Sequence, residues 1–146
     1  MTTLVFGATG ATGKQLVEQL LSMGQNVKLI VRSTGITSDN WKNNDKISII
    51  KANISEISVG EMKNYLVDCQ SVASCLGHNI TLKGIFGKPR KLVTDAVKLI
   101  FMATQNTSSQ KPIKLVLMNT TANRNRDLNE PLSIAEKILM GLIRLL

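Results

Sequence analysis

Three glycines spaced three apart, in Gly7-Ala8-Thr9-Gly10-Ala11-Thr12-Gly13, separate an apolar stretch from a helical pattern. Leu4-Val5-Phe6 precedes them, and Lys14-Gln15-Leu16-Val17-Glu18-Gln19-Leu20-Leu21 follows. A strand, a glycine turn and a helix in that order form a receptor for a diphosphate. Glycines allow a sharp turn and close approach of a ligand, and the first free N–H groups of the helix, at its positive end, meet the anionic oxygens. Thr9, Ala11 and Thr12 are expected to present backbone N–H groups, and the threonine hydroxyls add further donors. A nucleoside-triphosphatase loop ending in Gly13-Lys14 would need glycine at 8 and Ser or Thr at 15, where Ala8 and Gln15 stand. That hydrolase reading fails.

The elements that must position this loop follow from the hydrophobic pattern. Short apolar strands are expected near 3–6, 27–31, 47–51, 71–75 and 114–118, and amphipathic helices near 12–23, 59–66, 88–106 and 132–145. Gly24 suits the end of the first helix. In the third long helix, Leu92, Val93, Ala96, Val97, Leu99, Ile100 and Ala103 make a broad face for packing on a sheet. Ser33–Asp45 is polar, carries the only tryptophan, and is expected to be a surface loop. Alternating strands and helices with right-handed crossovers give an α/β fold, a doubly wound parallel sheet of order 3-2-1-4-5. Ligand then lies over the carboxyl ends of the strands. The glycine loop, Arg32, Asn53, Cys75–His78 and Asn119–Thr121 all fall there.

The glycine spacing differs from a plain Gly-x-Gly-x-x-Gly fingerprint. It resembles the atypical and extended short-chain dehydrogenase/reductases, especially the NmrA-like NAD(P)H-binding group, whose chains open with a strand running into Gly-Ala-Thr-Gly-x-x-Gly. Val27–Arg32 is similar to that family's second strand, Val72–Gly77 to its fourth, and Leu115–Thr121 to its fifth. The resemblance implies an NAD(P)-binding Rossmann fold over nearly the whole chain, with Gly7, Gly10 and Gly13 at the diphosphate.

Arg32 bears on cofactor choice. NAD-specific sheets end strand two with Asp or Glu for the ribose 2′-hydroxyl, whereas here Arg32 and Ser33 follow Val31 and no acid occurs before Asp39. A guanidinium pairs with a 2′-phosphate through two hydrogen bonds, so NADP (as NADPH) is expected over NAD. After strand three the family carries Gly-Asp and an aliphatic residue; this chain has Ala52-Asn53-Ile54, and the Asn amide keeps an acceptor and adds donors. The resemblance places Asn53 and Ile54 beside adenine, and Cys75, Leu76, Gly77 and Asn119 along the rest of the cofactor. Thr120 and Thr121 take the place of the usual strand-five serine. Family members with the standard proton relay add a Tyr and a Lys four residues later; the single tyrosine, Tyr65, lies in another segment with Cys69 at i+4. Candidate catalytic groups are therefore Thr120, Thr121 and His78, although a lone loop histidine is more often simply solvated. Two functions stay open: an oxidoreductase acting on a small-molecule or flavin- or quinone-like acceptor, and a non-catalytic redox sensor or scaffold for a partner protein.

Composition narrows the setting. A chain of 146 residues, 43% hydrophobic, supports one domain with a real core. The net charge of +8 is spread singly apart from Lys83, Lys88, Arg90, Lys91 and Lys98, and aromatic residues for base stacking are scarce. A basic rim for a phosphorylated cofactor is expected, not a nucleic-acid site. Cys69 and Cys75 flank the start of one strand, a poor geometry for a disulfide and too few ligands for a metal; a cytoplasmic protein is expected. No apolar run is long enough to span a bilayer. The chain stops inside an amphipathic pattern, Ile134 to Leu146, without the family's C-terminal substrate segment. Truncation, a homodimer or a larger parent chain would each account for that ending. A membrane-surface role for the helix, flanked by Lys137 and Arg144, is a weaker alternative.

Overall fold

The computed structural model describes residues 1–32, 39–76, 92–105, 112–118 and 133–134. The chain runs through β1 (Thr2–Phe6), α1 (Ala11–Ser22), β2 (Asn26–Val31), α2 (Asp39–Lys42) and β3 (Ile47–Lys51). A single 3-10 turn (Ile54–Glu56) leads to α3 (Val59–Leu66), β4 (Ser71–Ser74), α4 (Leu92–Gln105) and β5 (Lys114–Leu117). All strand pairs are parallel, in the order β3-β2-β1-β4-β5. Phe6 pairs with Ile30 and Ser74, Ile30 with Ile50, and Ser74 with Leu117, so one register line crosses the sheet. The doubly wound sheet expected from the alternating pattern is the observed one.

Side-chain alternation divides the core into two layers. Leu4, Phe6, Ile30 and Val72 face α3 and α4, where Met62, Leu66, Ile100 and Ala103 meet them. Val5, Val27, Leu29 and Ala73 point the other way and pack with Val17 of α1. A one-residue slip of β1 would exchange the two sets, so burial on both faces pins the register. In α4 the buried positions are Ala96, Ile100 and Ala103, the helical spacing expected of a sheet-facing stripe.

Helix ends are set locally. At the end of α1, Gly24 N–H donates to the Leu21 carbonyl at 2.9 Å and Gln25 N–H to that of Leu20 at 3.0 Å, the paired bonds of a Schellman motif. At the start of α3, Ser58 and Glu61 cap each other: Ser58 Oγ and N–H donate to Glu61 Oε2 at 2.7 and 2.8 Å, and Glu61 N–H donates to Ser58 Oγ at 3.2 Å. The hydroxyl first, and the backbone N–H second, hold the Glu61 carboxyl below its ordinary range. A depressed folded value stabilises the protein above the ordinary pKa and is lost as pH falls through the folded one. Glu61→Ala should therefore lower Tm at neutral pH and flatten the acid limb of a Tm-against-pH profile; an unchanged acid limb would show that the cap carries no linkage.

Of the expected surface loop over Ser33–Asp45, residues 33–38 lie outside the described residues; Asn40, Lys42, Asn43 and Asp45 are exposed as expected, and the correction falls on α2 and Trp41. Residues 39–42 form α2, and Trp41 is only 2% exposed. An indole carries a large apolar area, so this one side chain is buried while its polar neighbours Asn40, Lys42 and Asn43 stay exposed. Residues 88–91 and 106 of the third expected helix, and 132 and 135–145 of the last, lie outside the described residues.

Candidate functional site

The glycine loop leaves the centre of the sheet. Gly7 has φ +71°, and a Cβ there would stand 2.6 Å from the Cys75 carbonyl oxygen, on the neighbouring strand end. Only glycine meets both conditions. Gly10 N–H donates to the Gly7 carbonyl at 3.0 Å, closing the turn, and Gly10 then serves as N-cap of α1 in extended geometry. Gly13 packs its Cα against the loop itself: a Cβ would collide with the Gly7 carbonyl oxygen and lie 2.8 Å from Ala8 Cα. Helix and strand approach closely because no side chain intervenes.

No side chain caps α1, and its first turn holds no acidic residue. The leading N–H groups, which have no intrahelical acceptor, thus stay available at the positive end of the dipole. Ala11 and Thr12 are exposed beside them, and Thr9 is half-buried. A glycine cradle joined to an uncapped helix end fits a diphosphate. Ala8, whose methyl is fully buried within the loop, also belongs to this construction. Its place between Gly7 and Gly10 is the sequence signal that marks it.

The other strand ends stand on the same level. Arg32 is exposed and follows directly on β2. Ala52 N–H donates to the Val31 carbonyl at 2.9 Å, which keeps the exit of β3 beside Arg32. Cys75 N–H donates to the Phe6 carbonyl at 2.9 Å, holding β4 next to the loop. The structure thus brings Gly7, Thr9, Gly10, Ala11, Thr12, Gly13, Arg32, Asn53 and Cys75 to one edge.

Asn53 has local work as well. Its Oδ1 accepts from Ser55 N–H at 3.4 Å and its Nδ2 donates to Glu56 Oε1 at 2.8 Å, capping the 3-10 turn. Ile54 and Leu76 pack against the core cluster around Phe6 and Met62. Ser33, Gly77, His78, Asn119, Thr120 and Thr121 lie outside the described residues, as do Lys83, Lys88, Arg90 and Lys91.

Burial pushes the Cys75 thiol up, and burial likewise dominates at Cys69, where Lys28 pulls down and Asp68 pushes up. Both cysteines are free. Among the described residues no group of three or more metal-ligating side chains occurs, and no helix is long and apolar enough to cross a membrane.

Residues 7–138 match the model of a family described as NAD(P)H-binding. A stretch of 52 residues is 44% identical to an uncharacterised chloroplastic protein of Arabidopsis thaliana, covering 36% of this chain and 19% of that one. The yeast methylglyoxal/isovaleraldehyde reductase Gre2, solved with NADPH, superposes with a TM-score of 0.64 at 21% identity, over 84% of this chain and 38% of that one. The Bordetella bronchiseptica enzyme WbmH, solved with NAD+, gives 0.54 at 15% identity, over 71% and 34%. At these identities the solved structures share the fold. The chain spans well under half the length of each of these proteins.

Proposed function

This chain belongs to the NAD(P)H-binding family, and from that premise we propose that it takes NADPH in preference to NADH and acts as an oxidoreductase on a small-molecule or flavin- or quinone-like acceptor. The observation that carries the preference is Arg32, exposed at the carboxyl end of β2 with no carboxylate between it and Asp39. Its guanidinium offers paired N–H donors to a 2′-phosphate and a flat face to adenine. The uncapped end of α1 would hold the diphosphate through the N–H groups of Ala11 and Thr12, beside Gly10. The nicotinamide supplies the hydride chemistry, so the protein's task is to bind and orient. Two free thiols accord with a reducing compartment, and the cytoplasm is the location we propose.

Isothermal titration tests this reading. Arg32→Ala should weaken NADPH binding by roughly 10- to 100-fold, the worth of a charge-assisted pair, and leave NADH nearly unchanged. An equal loss for both dinucleotides, or no binding by the wild type, overturns it.

A second reading, a dinucleotide sensor without turnover, is favoured by Tyr65. The only tyrosine sits near the end of α3, where its carbonyl accepts from Lys28 Nζ at 3.3 Å and from Cys69 Sγ at 3.4 Å, away from the glycine loop. NADPH consumption with flavin or quinone acceptors supports the oxidoreductase; tight binding with no consumption supports the sensor.

A further inference from the structure

Trp41 is the one large aromatic side chain in a polar stretch, and it is 2% exposed. Its Nε1 donates to Glu18 Oε1 of α1 at 2.8 Å. A buried indole N–H must find an acceptor, and a carboxylate is a strong one. The ring shares a buried cluster with Ala8, within the glycine loop, and with Val31, the residue before Arg32. Trp41 therefore touches the layer that underlies both halves of the dinucleotide edge. β2 ends just before Arg32, and α2 is tied at Trp41 to α1, the helix whose uncapped first turn follows the glycine loop.

We propose that Trp41 and Glu18 form a positioning pair that sets dinucleotide selectivity, by fastening α2 to α1 within the buried cluster that includes Val31, so that Arg32 meets the 2′-phosphate. This inference rests on the NADPH reading above. Neither side chain touches the cofactor; the pair acts through Arg32. Glu18 lies seven residues beyond the start of α1, about 10 Å along its axis, well away from the diphosphate end. Its effect is thus mechanical, on the placement of the guanidinium.

Trp41→Phe keeps an aromatic ring in the core and removes the N–H; Glu18→Ala removes the acceptor from the exposed partner, should the core variant fold poorly. Each is titrated with NADPH and NADH, alone and combined with Arg32→Ala, with Tm recorded alongside. Either substitution should weaken NADPH roughly five- to tenfold, the effect of one hydrogen bond, with NADH little changed. That loss should vanish when Arg32 is already alanine, and Glu18→Gln, whose amide oxygen still accepts, should restore binding. Equal weakening of both dinucleotides, or a drop in Tm with unchanged affinities, would show a merely structural bond and overturn the inference alone, provided the wild type prefers NADPH. A wild type that binds neither dinucleotide, or shows no preference, removes the NADPH reading and this inference with it.

Discussion

Gly13→Ala should abolish dinucleotide binding and destabilise the fold by about 3 kcal/mol, at the upper end for an added methyl in a close-packed site. The methyl would collide with the Gly7 carbonyl oxygen and stand 2.8 Å from Ala8 Cα and the Gly7 carbonyl carbon. All three are backbone atoms, so no rotamer change relieves the contact. Gly7 is itself held by its bond to Gly10 and by the neighbouring Cys75 carbonyl, which leaves the loop nowhere to move. Gly10→Ala makes the informative contrast. Its Cβ would lie 3.3 Å from the Gly7 oxygen, and φ −74°, ψ 166° suits any residue. That variant should fold close to normally yet bind weakly, because the new methyl occupies the approach to the helix end. Thermal melts with and without NADPH separate the two. Gly13→Ala should melt on the order of 10 °C lower with no ligand response. A Gly13→Ala protein that melts near wild type would show that α1 can shift off the loop, and that the close approach is not what builds the site.

How far the sequence reveals this arrangement depends on which force fixes each part. Strand and helix ends fall within one residue of expectation at all five strands and at α1 and α3, since those elements carry clear apolar patterns. The sheet order follows from alternation and crossover handedness, which leave few other topologies. The convergence of Gly7, Arg32, Asn53 and Cys75 is then a consequence of parallel strands ending together. What escapes is whatever a single tertiary contact decides. Trp41 lies among Asp, Asn and Lys, whose local preference is for a solvated turn, and its burial depends on the cluster with Val17 and Val31 that only the folded sheet assembles. Asn53 carries a local signal in the sequence. Asn followed at the third position by Glu56, ahead of the apolar pattern of α3, marks a local cap, and the structure gives the amide that role.

Phe6→Ala tests whether the core beneath the loop and the loop itself are separable. Phe6 is fully buried, among Leu4, Ile30, Met62 and Ile100, and its loss should cost about 4 kcal/mol through lost transfer and the cavity left behind. Against a total of about 5–15 kcal/mol for a native domain, that is enough to populate the unfolded chain on mild heating. The loop above it is held by main-chain bonds that alanine preserves: Phe6 carbonyl to Cys75 N–H at 2.9 Å, and Gly7 carbonyl to Gly10 N–H at 3.0 Å. The folded fraction of Phe6→Ala should therefore keep its affinity. A ligand that binds only the folded state at a hundred times its Kd adds about 2.7 kcal/mol, so saturating NADPH should return well over half of the lost stability. Gly13→Ala, damaged at the cradle itself, should gain none. Denaturant melts across an NADPH titration measure both. If Phe6→Ala also loses its response to NADPH, the ring is shaping the loop directly, and the diphosphate cradle extends one layer deeper than its backbone bonds.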